Sequence, residues 1–136
     1  MFNVTKTTPK KDALMVLKEA DIDTRVYTVL NKLGMPTNLK GYAYSVYAIH
    51  LGMQMGTFDI SVTKYLYPAI AKAFETTNSR VERAIRHAVE VTADQVYSPF
   101  YQQLFKATKI NVGKPVNSEF ISRIVCYLLL ENPNLT

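Results

Sequence analysis

The sequence has little of several features that would mark a special class of protein. Cys126 is the single cysteine, so no disulfide can form within the chain, and such cysteine usage is typical of a reducing compartment. Five glycines and six prolines in 136 residues are too few for a collagen-like or low-complexity chain. The longest apolar run, residues 124–130, is too short to span a bilayer. Residues 1–6 carry no apolar segment of a signal peptide. We therefore expect a cytoplasmic protein without a membrane partner.

Acidic residues are also in the minority. Sixteen Lys and Arg residues against eleven Asp and Glu residues give a formal net charge of +5 and a pI near 9.3. Between residues 60 and 110 there are seven basic residues and four acidic ones. An excess of this size allows nucleic acid as a partner without requiring it. Apolar residues make up 48% of the chain, as in folded globular proteins.

Apolar residues recur at helical spacing along most of the chain, and no alternating strand pattern extends beyond a few residues. We predict an all-α fold, a single compact domain of six to seven helices that contains a helix-turn-helix. Residues 1–20 are expected to be a linker-like tail with a short helix, in which Leu14 and Leu17 face inward. Residues 21–136 are expected to form the DNA-binding domain argued below.

Turn and capping residues predict where the helices begin and end. Gly34 and Pro36 are expected to end the helix that contains Val26 and Leu33. Pro68 either kinks a helix or lies in its first turn. Capping residues are expected at Thr37 or Asn38, at Asn117 or Ser118, and at Thr77, with Ser79 and Glu82 as an alternative S-x-x-E capping box.

The stretch from residue 67 to residue 90 fits a helix-turn-helix. Ala71 is the small residue expected where the two helices cross. Glu75 occupies the turn position that often requires positive φ, and therefore glycine, so mild strain is expected there. The inward residues are Ile70 and Phe74 on the first helix, and Val81, Ala84, Ile85 and Ala88 on the second.

Polar residues remain on the outer face of the second helix, which is expected to span residues 78–93. They are Ser79, Arg80, Glu82, Arg83, Arg86, His87 and Glu90. Arg can offer a fork of donors to guanine, and Glu can accept from cytosine N4. Arg side chains and the N–H groups at the helix start can hold phosphates. The alternative interpretation is a solvated face with pairs such as Glu82–Arg86; the spacing alone favours DNA reading only slightly.

These residues also match a known family. The matching positions are Leu33-Gly34, Lys40-Gly41-Tyr42, Thr63-Lys64, Leu66-Tyr67-Pro68, Ile70-Ala71-Lys72, Phe74, Thr76-Thr77, SRVERAIRH at 79–87, Lys114-Pro115 and NSEFI at 117–121. The last three runs together are far more specific than any helix-turn-helix pattern. Over about residues 22–130 the chain resembles the C-terminal DNA-binding effector domain of the response regulator that initiates sporulation, the stage-zero sporulation protein A family.

The resemblance implies a transcription regulator that binds short promoter boxes of double-stranded DNA, often in tandem. It implies that Glu82 and Arg83 read bases, with Ser79 beside them at the bases or the backbone. It also implies contact with the sigma subunit of RNA polymerase. The residues expected at the DNA backbone are Arg80, Arg86, His87, Thr77, Asn78, Lys64 and Lys72.

The chain departs from the family in two places. Family members carry a phosphoacceptor receiver domain, which residues 1–20 could not form, so DNA binding is expected without phosphorylation. We expect a monomer or weak homodimer that gains affinity on tandem boxes. Residues 92–110 do not resemble the family's polymerase-contacting stretch, and their aromatic residues, Tyr97, Phe100, Tyr101 and Phe105, are a candidate partner surface. The alternative function is an interaction protein that contacts polymerase or antagonises a full-length relative.

No pattern in the sequence indicates an enzyme, a cofactor or a metal. There is no glycine-rich phosphate loop and no obvious pair of catalytic acids. His50 and His87 lack the further ligands that a metal site needs. Cys126 is expected to be a buried structural thiol.

Overall fold

The computed structural model describes residues 12–57, 59, 65–94, 98–105 and 114–130. Within these ranges the chain forms seven α-helices and no strand, which confirms the all-α prediction. The helices are α1 (Ala13–Ala20), α2 (Thr24–Leu33), α3 (Lys40–Met55), α4 (Leu66–Phe74), α5 (Asn78–Ala93), α6 (Pro99–Phe105) and α7 (Asn117–Leu130).

Two of the predicted helix boundaries are confirmed. Gly34 follows α2 in the left-handed conformation, with φ of 87°, and its N–H donates to the carbonyl of Asn31. Pro68 lies in the first turn of α4 rather than at a kink. Both residues lie where their backbone properties are favourable. Glycine tolerates the positive φ after a helix, and proline lacks only an N–H that the first turn would leave unbonded.

The predicted caps of α3 and α7 are wrong. Leu39, not Thr37 or Asn38, directly precedes α3, and its side chain packs against the core instead of capping the helix. Helix α7 begins at Asn117 itself, so neither Asn117 nor Ser118 is the residue that precedes it.

The hydrophobic core draws side chains from all seven helices. Helix α3 lies at its centre and packs most extensively against α5 and α7. The largest fully buried side chains are Phe120, Leu30, Leu33, Ile49, Ile70, Ile85, Ile121 and Ile124. In α1, Val16 and Leu17 are buried while Leu14 is 65% exposed, so the inward assignment of Leu14 is wrong.

The aromatic residues of α6 pack inward. Tyr101 and Phe105 are buried, and the Phe105 ring stacks on Phe120 with the centroids 5.3 Å apart. Phe100 contacts Tyr127 edge to face. These three are therefore mainly core residues rather than a partner surface, because α7 offers apolar partners on the facing side. Tyr97 lies outside the described residues.

Two further observations concern Cys126 and membranes. Cys126 is half-buried, where a buried thiol was expected. No helix in the described part of the chain combines the length and the apolar character needed to cross a membrane.

Candidate nucleic-acid interface

Helices α4 and α5 are joined by a turn of three residues, Glu75 to Thr77. Glu75 has φ of 56° and ψ of 53°, which is the left-handed conformation predicted for this position. Its N–H donates to the carbonyl of Lys72, and the N–H of Thr76 donates to the carbonyl of Ala71 at 2.9 Å. These two bonds close the end of α4 as they would around a glycine, so the turn keeps its shape with a strained glutamate in it.

Helix α5 begins as predicted. Thr77 has extended backbone angles, and its side-chain hydroxyl accepts from the N–H of Arg80 at 3.2 Å. The helix spans Asn78–Ala93, the predicted range. Ser79 lies inside the first turn and Glu82 bonds to Arg86, so the alternative capping box is not formed.

The rotation of α5 about its axis is set by its apolar side. Val81, Ile85, Ala88 and Val89 are buried. Helix α3 crosses very close to it at Gly41, where an added Cβ would lie 2.1 Å from the carbonyl oxygen of Ala84. Only glycine fits at that crossing. Ala71 is buried on α4 as predicted. The close crossing at Gly41, however, joins α3 and α5, and it was not predicted although Gly41 lies within a helical segment.

A buried polar contact also holds α5 in place. Asn117, at the start of α7, is 6% exposed. Its side-chain amide donates to the Tyr67 hydroxyl at 3.1 Å and to the backbone carbonyl of Glu82 at 3.0 Å. Burial raises the pKa of the Tyr67 hydroxyl, and the Asn117 hydrogen bond partly opposes that rise. One amide therefore ties α4, α5 and α7 together beside the predicted base-reading residues.

The outer face of α5 carries the residues assigned to DNA. Ser79, Arg80, Arg83, Arg86 and His87 are exposed, and Glu82 is partly exposed. Thr77 and Asn78, at the helix start, and Lys72, in the last turn of α4, are exposed as well. Lys64 lies outside the described residues.

Charges on this face separate into two flanks. On one flank, Arg86 donates to both carboxylate oxygens of Glu82, at 3.0 and 2.9 Å. On the other flank lie Arg80 and His87, with Arg83 near the middle of the face. No described residue provides an ion pair or a side-chain hydrogen bond to Arg80 or Arg83. The face can therefore offer unneutralised guanidinium groups to an anionic partner.

A helix, a three-residue turn and a second helix with an exposed basic face form a helix-turn-helix, a motif typical of DNA-binding domains. The family model described as "Sporulation initiation factor Spo0A C terminal" matches residues 26–128 of the 136-residue chain. The chain therefore belongs to the Spo0A C-terminal domain family, as its resemblance predicted. This is a family of DNA-binding effector domains in the regulation of sporulation and transcription.

Proposed function

We propose that the chain binds specific sequences of double-stranded DNA through α5 and so regulates transcription. The observation that carries this proposal is the outer face of α5, where Glu82 and Arg83 are accessible within the first turns of a helix whose other side is buried. A recognition helix presents its N-terminal residues to base edges in the major groove. Arg83 is suited to a guanine, and Glu82 to the N4 amino group of a cytosine.

The ion pair between Glu82 and Arg86 is compatible with base reading by Glu82. Both side chains are partly solvated, with exposures of 39% and 51%. An exposed pair of this spacing is worth about 0.3–0.5 kcal/mol, whereas a good base contact is worth about 1–3 kcal/mol. Glu82 can therefore exchange Arg86 for a base at small cost, which leaves Arg86 available for a phosphate.

The remaining assignments come from the family resemblance, and those among the described residues are exposed. Arg80, Arg86 and His87 flank the proposed base-reading residues and would contact phosphates, together with Thr77, Asn78, Lys64 and Lys72. Ser79 lies in the first turn, where it can reach a base or the backbone. Contact with the sigma subunit and pairing of two copies on tandem boxes stay predictions from the family resemblance.

The test begins with selection of a binding box from random duplex DNA, followed by salt titrations on the box and on a random duplex. Arg83→Ala should cost about 1–3 kcal/mol on the box and relax the preference at one guanine. The control is Arg123→Ala, which removes the same charge from α7. Equal losses on box and random duplex would show that Arg83 touches phosphate instead.

Glu82→Ala gives a second, opposite signature. Removing a carboxylate should slightly strengthen binding to random duplex, while the preference at one cytosine is lost. A uniform loss of affinity for all duplexes would contradict base reading by Glu82.

A further inference from the structure

A groove of about 940 Å³ runs along the flank of α5 that lies away from Glu82. One wall is the start of α3, with Lys40 and Tyr44, and the other is α5, with Arg80 and His87. Thr37 and Asn38, in the loop before α3, also line it. The close crossing at Gly41 holds the two walls together at their base.

The groove is cationic. Its charged lining residues are Lys40, Arg80 and Arg83, and no Asp or Glu of the described residues lines it. The structure gives Lys40, like the two arginines, no ion-pair partner within the described chain. The opposite flank of α5 differs, because there Glu82 neutralises Arg86. The unneutralised positive charge of this face therefore extends from α5 onto α3.

The position of the groove suggests what fills it. If α5 lies in a major groove with Arg83 toward the bases, each flank of α5 faces one sugar–phosphate strand. The flank with Arg80 and His87 then faces a strand that runs beside the start of α3. Both walls carry cations, and the α3 side adds hydroxyl and amide donors from Tyr44, Thr37 and Asn38. Such groups bind phosphate oxygens in protein–DNA contacts.

We infer that this groove receives a backbone phosphate of one DNA strand, held by Lys40 on the α3 wall and Arg80 on the α5 wall. The inference rests on the proposed DNA binding and adds α3 to the interface. Lys40 then contributes affinity without sequence preference, since a phosphate carries no base identity.

The test compares Lys40→Gln with Lys32→Gln on the selected box and on a random duplex across a salt series. Lys32→Gln is a matched control because it removes the same charge from a residue that lies over the Phe100 ring, away from the groove. Loss of one phosphate contact should make the negative slope of log affinity against log salt shallower by about 0.9. This change in slope corresponds to binding about fivefold weaker than that of the wild type near 0.15 M salt, and the loss should be equal on both duplexes. Lys40→Arg should restore the slope.

Three results are distinguishable. If the wild-type chain shows no preference for any selected box, the proposed function fails. If it shows one but Lys40→Gln behaves like Lys32→Gln, only the groove inference is overturned. A free phosphorylated ligand is tested by adding inorganic pyrophosphate at constant ionic strength. Its binding at Lys40, with the salt slope on DNA unchanged in Lys40→Gln, would also overturn the inference.

Discussion

Replacing Asn117 should loosen the attachment of α5 to the rest of the domain at the residue proposed to read a cytosine. The Asn117 amide makes two hydrogen bonds in a nearly dry environment, to Tyr67 and to the carbonyl of Glu82. Asn117→Ala removes both. Tyr67→Phe removes only the hydroxyl and leaves the bond to Glu82 in place.

The cost can be worked from these bonds. A typical intramolecular hydrogen bond contributes about 0.5–1.5 kcal/mol net, so Asn117→Ala should lower the free energy of unfolding by about 1–3 kcal/mol. The Glu82 carbonyl still lies within α5, where a helical bond can satisfy it, which keeps the loss from being larger. Tyr67→Phe should cost about 0.5–1.5 kcal/mol. In a domain of this size each kcal/mol lowers the melting temperature by about 2–6 °C.

The assay is denaturant unfolding of the two single variants and the double variant, with DNA binding measured well below the transition. The double variant should be less destabilised than the sum of the singles by at least about 0.5 kcal/mol, because both remove the same bond. Asn117→Ala should also reduce the affinity ratio between box and random duplex, while the salt slope stays unchanged. Additive stabilities, or a ratio equal to that of the wild type, would refute this role for Asn117.

Two further predictions concern backbone geometry. Gly41→Ala should destabilise the domain by about 1–3 kcal/mol despite alanine's better helix propensity, since its Cβ would overlap the Ala84 carbonyl; a raised melting temperature would contradict the close crossing. Glu75→Gly should raise the free energy of unfolding by about 0.5–1 kcal/mol. It relieves left-handed strain of about 1–2 kcal/mol, but part of that gain is lost because glycine gives up more conformational entropy on folding. Lys72→Gly, in a right-handed helical position, is its control and should lower the melting temperature; a similar fall in Glu75→Gly would show that no strain is stored there.

Features that depend on residues close together in the sequence were predicted well. The bounds of α5 follow from Thr77 as a cap and from apolar residues at helical spacing, and the structure has the same bounds. The left-handed conformation of Glu75 is expected from its place in the helix-turn-helix, at the turn position that often requires glycine, and the structure shows it. The outward position of Arg83 follows once Val81 and Ile85 are assigned to the core. All three predictions depend on local hydrogen bonding and on the periodicity of apolar residues.

Contacts between distant segments could not be predicted in this way. Capping preference predicts Asn117 or Ser118 as a helix cap, but the Asn117 amide donates to Tyr67 of α4 and to the Glu82 carbonyl of α5. Leu39 directly precedes α3 and packs against the core, and capping preferences take no account of such packing. Phe105 is buried because Phe120 faces it from α7. In each case the deciding partner lies far away along the chain.

The domain separates the residues that hold α5 from those proposed to read DNA. Burial of Val81 and Ile85, the crossing at Gly41 and the amide of Asn117 fix the helix in position and rotation. Arg83 contributes to none of these contacts, because its side chain is exposed and without a partner among the described residues. A substitution at Arg83 should therefore change which sequence is bound without changing stability by more than about 0.5 kcal/mol. A substitution at Gly41 or Asn117 changes both at once, since the direction in which Arg83 points depends on the helix that carries it.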